Sequence, residues 1–184
     1  FRPRQLFNCC PSISRKPRTV KKSQPNYRTL VVTVDNKFGV LARVSGLFAR
    51  RGVNIKSLAV APTDKAEFSR ITVDLDIELE SVSLDQIIKQ LDKLINVVEI
   101  RALDPDKSVE RELMIVTVKA EASQRDELVD HLDKVGGKVL NIGTESMMLS
   151  LVETSSVIDD FESFLSNFGI VELQRTGRVA LDSL

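Results

Sequence analysis

A chain of 184 residues with 42% hydrophobic content has room for one medium domain or two small ones, each with its own core, and no apolar run approaches the roughly 20 residues of a membrane-spanning helix. The net charge of zero conceals an asymmetry: residues 1–27 hold seven Lys and Arg and no acid, leaving 19 basic against 26 acidic residues in the remainder, a balance that repels nucleic acid. Both cysteines, Cys9 and Cys10, stand side by side in that leader, which excludes a disulfide framework and a thiol metal site from the rest of the chain and points to a reducing compartment.

The leader, residues 1–27, is basic, acid-free, rich in Ser and Pro and without apolar periodicity. That is the composition of an organellar transit peptide, with a disordered basic tail as the alternative. Residues 30–34 then read as a strand and Asn36-Lys37-Phe38-Gly39 as a turn. Val40, Leu41, Val44, Leu47 and Phe48 recur at three-and-four spacing, which predicts a helix over 40–51 with Arg43, Arg50 and Arg51 off the apolar stripe. Gly52 supplies the stop, and 54–60 reads as a strand. Over 68–77, Ser69, Ile71, Val73, Leu75 and Ile77 alternate with Arg70, Thr72, Asp74 and Asp76, a half-buried strand. Ser83 is a candidate N-cap for a helix carrying Leu84, Ile87, Ile88, Leu91 and Leu94, and 97–103 gives a fourth strand.

After a polar hinge at 104–107 the order repeats. Strand 113–118 precedes a helix over 123–135, stopped by Gly136-Gly137; strands 138–142 and 147–152 flank a turn at Gly143; a helix over 155–167 and a strand over 170–181 close the unit. The fold class is therefore α+β, two tandem ferredoxin-like βαββαβ domains over 28–104 and 105–184. Such small domains have thin cores and leave one sheet face and the sheet edges uncovered. Both needs are met by a second copy of the chain, most simply as a dimer.

This architecture hosts many activities, so side chains must arbitrate. An RNA reader needs aromatic stacking platforms, and the expected strands carry almost no aromatic residue. A metal carrier needs a Cys or His pair, whereas the single His131 reads as a solvated surface residue. No nucleophile–base pair or phosphate loop is present, so a self-sufficient enzyme is disfavoured. The acid pairs Asp74/Asp76 and Asp159/Asp160 read as a solvated sheet face and a dipole-matched first helical turn. The turn over 36–39 is different: a glycine there lets an anion approach the free N–H groups of the first helical turn, which suits a carboxylate, and Asn36 and Asn54 are expected to face that helix mouth.

Residues 36–62 (NKFGVLARVSGLFARRGVNIKSLAVAP), 89–98 (KQLDKLINVV), 109–118 (VERELMIVTV) and 175–181 (RTGRVAL) together resemble the regulatory, or small, subunit family of acetolactate synthase, also called acetohydroxyacid synthase. The first half resembles an ACT domain, the amino-acid-sensing module, and the second an ACT-like C-terminal domain of the same family. The resemblance implies a non-catalytic partner that activates a catalytic large subunit and makes it sensitive to branched-chain amino acids, chiefly valine. It places thiamine diphosphate, magnesium and FAD in the large subunit, none in this chain. It puts the effector site between the ACT domains of a homodimer, with Asn36, Gly39, Val40 and Leu41 of one chain near Asn54 and Ile55 of its mate. No membrane or nucleic-acid partner is expected. The leader favours a plastid, with a bacterial cytoplasm as the alternative, and a free-standing amino-acid-binding ACT module serving another enzyme or regulator is the alternative function.

Overall fold

The computed structural model describes residues 27–76 and 83–184, so all but the last residue of the expected leader, and Ile77, lie outside the described residues. The first half runs β1 (Tyr27–Asp35), α1 (Val40–Arg50), β2 (Asn54–Pro62), β3 (Phe68–Asp76), α2 (Leu84–Leu91) and β4 (Val97–Ala102). A short 3-10 turn, Pro105–Lys107, leads to β5 (Ser108–Lys119), α3 (Arg125–Lys134), β6 (Lys138–Ile142), β7 (Ser146–Glu153), α4 (Ser155–Leu165), β8 (Ile170–Arg175) and β9 (Val179–Asp182). The strands form two antiparallel sheets, in the orders β2-β3-β1-β4 and β6-β7-β5-β8, with β9 added to the first residues of β5.

Each sheet buries one face against its own two helices, as the period of two along the strands requires. Leu30, Val32 and Val34 of β1 and Ile71, Val73 and Leu75 of β3 meet Val40, Val44, Leu47 and Phe48 of α1 and Ile87 and Leu91 of α2. In the second half Met114, Val116, Val118, Met147, Leu149 and Leu151 meet Leu128 and Leu132 of α3 and Ile158, Phe161 and Leu165 of α4. Each such fully buried Leu, Ile or Phe contributes about 1.5–3 kcal/mol of transfer free energy. Ser83 caps α2 as expected, its hydroxyl accepting the Gln86 N–H at 3.3 Å.

Two departures from the sequence reading matter. The strand expected over 170–181 is two strands, because Gly177 takes φ +79 and breaks the extended backbone. Its second piece, β9, pairs with Ser108–Arg111, extending β5 well before the expected start at Leu113. As a result the outer face of the first sheet is partly covered by the chain itself, not by a second copy. Ala180 of β9 packs with Val31 of β1 and Leu103, and Thr29, Thr72 and Asp74 on that face are buried. The corresponding face of the second sheet keeps Ile115, Met148 and Val152 exposed.

Candidate functional site

The turn before α1 is held by a polar cluster. The Asp35 carboxylate accepts from Lys37 Nζ at 2.9 Å and from Asn96 Nδ2 at 3.0 Å, and Arg43 Nη1 donates to Asn96 Oδ1 at 2.9 Å. The Lys37 ammonium and then the Asn96 amide hold the Asp35 carboxyl below its ordinary value. Gly39 occupies the N-cap position in the left-handed conformation, φ 78, and an added Cβ would meet nothing within 4 Å. Glycine is needed there for its backbone angle and not for protein packing. The first turn of α1 carries no acidic side chain and no side-chain cap; its Val40 N–H donates to Lys37 O at 3.4 Å, and the following N–H groups and the positive end of the helix dipole are left for solvent or a ligand.

The expected effector residues lie around α1 but do not meet within one chain. Asn36 is exposed and committed to the β2–β3 turn, its Nδ2 donating to Ala66 O at 3.0 Å. Val40 is 4% exposed and belongs to the core, so only its backbone is available to a ligand, whereas Leu41 is 41% exposed. Asn54 and Ile55 begin β2 beyond the other end of α1, and 11 residues of helix rise about 16 Å. A single α-amino acid cannot span that length, so Asn36 and Asn54 of one chain do not share the helix mouth.

Between the two ends runs a groove of about 470 Å³, lined by Ala42, Ser45, Gly46 and Ala49 of α1 and by Val53, Asn54 and Ile55. Small side chains let another backbone approach closely, and β2 is an edge strand with its outer hydrogen-bonding side unpaired in the sheet.

A second polar constellation lies between the halves, and the sequence reading missed it. Asp74 is 2% exposed, not part of a solvated sheet face. Thr29 Oγ1 donates to it at 2.6 Å and Ser57 Oγ at 2.7 Å, and Arg178 Nε lies 3.4 Å away. Asp76 alone is exposed as expected. Asp159 and Asp160 fall beyond the first turn of α4, which contains no acid, and Asp159 accepts from Arg175 Nη1 at 2.7 Å. His131 is half-buried, its ring stacked on Phe164 with centroids 3.8 Å apart. Among the described residues no group of three or more His, Cys, Asp and Glu is placed to hold a metal ion, and no helix is long and apolar enough to cross a membrane.

The anchor of this constellation is the Glu112–Arg175 pair. Arg175 Nε and Nη2 donate to the two Glu112 oxygens at 2.8 and 3.0 Å, and Ser155 Oγ donates to Oε2 at 2.7 Å. Burial pushes the Glu112 carboxyl up, but the Arg175 guanidinium and the Ser155 hydroxyl outweigh it and hold the group below the usual 4.5. The Glu112 carboxylate in turn pushes Arg175 further up from its already high value. With the folded value below the unfolded one, the unfolded chain binds more protons in the intervening window, so stability rises with pH there. The contribution of Glu112 is fully present above 4.5 and is lost as pH falls through the folded value. Melting curves recorded through the acid range are expected to show a falling midpoint below about pH 4.5 in the wild type and a flatter profile in Glu112→Gln.

Residues 30–99 match the family model described as AHAS small subunit-like ACT domain, and residues 111–183 match the model described as small subunit of acetolactate synthase. The acetolactate synthase small subunit of Mycolicibacterium smegmatis is 40% identical over 153 residues, 83% of this chain and 89% of that protein. A probable acetolactate synthase small subunit of Archaeoglobus fulgidus is 37% identical over 153 residues, 83% of this chain and 94% of its own length. The crystal structure of the acetolactate synthase small subunit from Thermotoga maritima superposes with a TM-score of 0.79 at 29% identity, covering 86% of this chain and 98% of that one. These relatives are bacterial and archaeal, which fits the bacterial alternative for the compartment and gives the plastid reading no support.

Proposed function

The chain belongs to the acetolactate synthase small-subunit family, and from that membership we propose that it activates the catalytic large subunit and confers feedback inhibition by valine in branched-chain amino acid biosynthesis. Association with a large subunit follows from the family. The observation that carries the effector reading is the mouth of α1: a left-handed Gly39 opening a helix whose first turn has neither an acid nor a side-chain cap. An effector carboxylate completes that turn by accepting from its N–H groups.

The other half of the site comes from a second copy. Two α1 helices packed antiparallel across a two-fold axis, along the groove of Ala42, Ser45, Gly46 and Ala49, bring the Gly39 end of each to the Asn54 end of its mate. The Asn54 amide then holds the polar end of the ligand, and Leu41 contacts its side chain. Leucine and isoleucine act as weaker effectors, because one methylene in an apolar pocket discriminates by only about 1–3 kcal/mol. Thiamine diphosphate, magnesium and FAD belong to the large subunit in this reading. The match over residues 111–183 to the small-subunit model favours it over a free-standing sensor of another enzyme.

The test is calorimetric titration of valine into the full chain, with Asn54→Ala in parallel and sedimentation to define the oligomer. Saturable binding by a dimer, lost in the variant without loss of dimer, is the expected result. A folded wild-type dimer that takes up no valine either alone or with the large subunit overturns the effector site.

A further inference from the structure

Residues 175–182 tie the two halves of the chain together in one pass. Arg175, at the end of β8, is held by the second half: besides Glu112 and Asp159, its Nη1 donates to Glu162 Oε2 at 3.0 Å. Two residues later Gly177 runs so close to β2 that an added Cβ would lie 3.1 Å from Ser57 Cβ and 3.4 Å from the Leu58 nitrogen. Arg178 then crosses the boundary. Its backbone N–H donates to Ser57 Oγ at 3.4 Å, its Nε donates to Ser155 Oγ at 3.3 Å beside Asp74, and its Nη1 is 3.0 Å from Glu110 Oε2. Beyond it Asp182 meets Arg101 Nη1 at 2.9 Å. One guanidinium thus touches β3 of the first half and both β5 and α4 of the second, 16% exposed.

The strand it leans on is the one that carries Asn54 and Ile55. Ser57 follows them on β2, directly after the register break between Ile55 and Ser57. Its hydroxyl donates to Asp74, and the Arg178 N–H donates to it. A bulge is a place where a strand re-aims its side chains at low cost, and Gly177 approaches Ser57 so closely that a side chain there would be crowded, so a shift of β2 at Ser57 is felt first by residues 177–178. Ser57, Gly177 and Arg178 themselves line a cleft of about 440 Å³, together with Leu58, Glu112 and Thr176, which gives the segment room to shift.

We propose that Arg178, with Gly177 as a close-packed pivot, is a positioning residue that carries effector occupancy on β2 to the second half of the chain and so to the large subunit. The inference rests on the effector reading above. It requires that the clasp have different free energies in the valine-bound and valine-free states, since a contact indifferent to the ligand transmits nothing.

The test uses the full chain reconstituted with its large subunit. Asp74→Asn/Arg178→Met removes the charge of the buried Asp74 together with that of Arg178, and leaves without its cation only Glu110, whose side chain is 28% exposed. Arg178→Lys keeps the charge but loses the planar fork that spans Asp74, Ser155 and Glu110. Valine binding to the small subunit alone is expected to stay within about twofold of wild type in both variants, while the valine concentration for half-inhibition rises about tenfold or more in the double variant and less in Arg178→Lys. A second measurement needs no variant: saturating valine is expected to change amide hydrogen exchange across 179–182 of the wild type. Half-inhibition within twofold of wild type in the folded double variant, or exchange at 179–182 indifferent to valine, overturns the proposal and leaves the effector site standing. A wild-type complex that neither binds valine nor is inhibited by it overturns both.

Discussion

Arg175→Met is expected to destabilise the second half by about 3 kcal/mol, the lower end of the 3–5 kcal/mol cost of breaking a buried ion pair. Glu112 is 6% exposed on its side chain and would keep its charge with only Ser155 to satisfy it, while the 26% exposure of Arg175 admits enough water to temper the loss. Asp159 and Glu162, more exposed, are released into solvent at little cost. The check is denaturant unfolding followed by circular dichroism, where the midpoint falls with the slope unchanged. Glu112→Gln/Arg175→Met is expected to recover most of the loss, because the orphaned carboxylate is gone. A single variant as stable as the wild type would show that the pair contributes packing alone.

Gly39→Asp is expected to abolish valine inhibition while leaving activation of the large subunit close to wild type. The substitution puts a carboxylate at the N-cap of α1, where it accepts from the same N–H groups that the effector carboxylate needs and repels that carboxylate as well. Like-charge contact at a binding site costs several kcal/mol, and each 1.4 kcal/mol is tenfold in affinity, so valine binding is expected to weaken by at least about a hundredfold. Folding survives, because nothing lies within 4 Å of the new Cβ, Asp tolerates the left-handed backbone better than most residues, and it is a strong N-cap. Gly39→Ala is the control: it carries the backbone strain without the charge and is expected to retain inhibition. Loss of large-subunit binding in Gly39→Asp would sink the separation of sensing from activation.

The two βαββαβ units were legible because each depends on local pattern, such as alternation in β3, three-and-four spacing in α1 and a Ser cap before α2. What alternation cannot report is what lies across an outward face. It put Asp74 and Asp76 on the same side of β3, and only the return of the chain through Arg178 separates them into a buried residue and an exposed one. The sequence did carry a partial signal in the basic run 175–178, whose two arginines flank a glycine, but their carboxylate partners are dispersed over residues 74, 110, 112, 159 and 162. No periodicity links such distant positions. His131 was misjudged for a related reason, since the ring it stacks on comes from a different helix. The separation of Gly39 from Asn54, by contrast, needed only the length of α1 and the helical rise, and it is what makes a second copy part of the site.

The small apolar contact of Val31, Leu103 and Ala180 also orders events in time. During synthesis Val31 leaves the ribosome long before Ala180 exists, so the first half can complete its own core only with Val31 uncovered. Closure of the contact then waits for a loop that spans most of the chain, whose entropy must be overcome late. The same contact is able to open locally, because residues 179–182 belong to neither main core. Nascent and partly opened chains therefore present the same two apolar side chains, Val31 and Leu103, to solvent, and such transiently exposed apolar surface is what draws chaperones and aggregating neighbours.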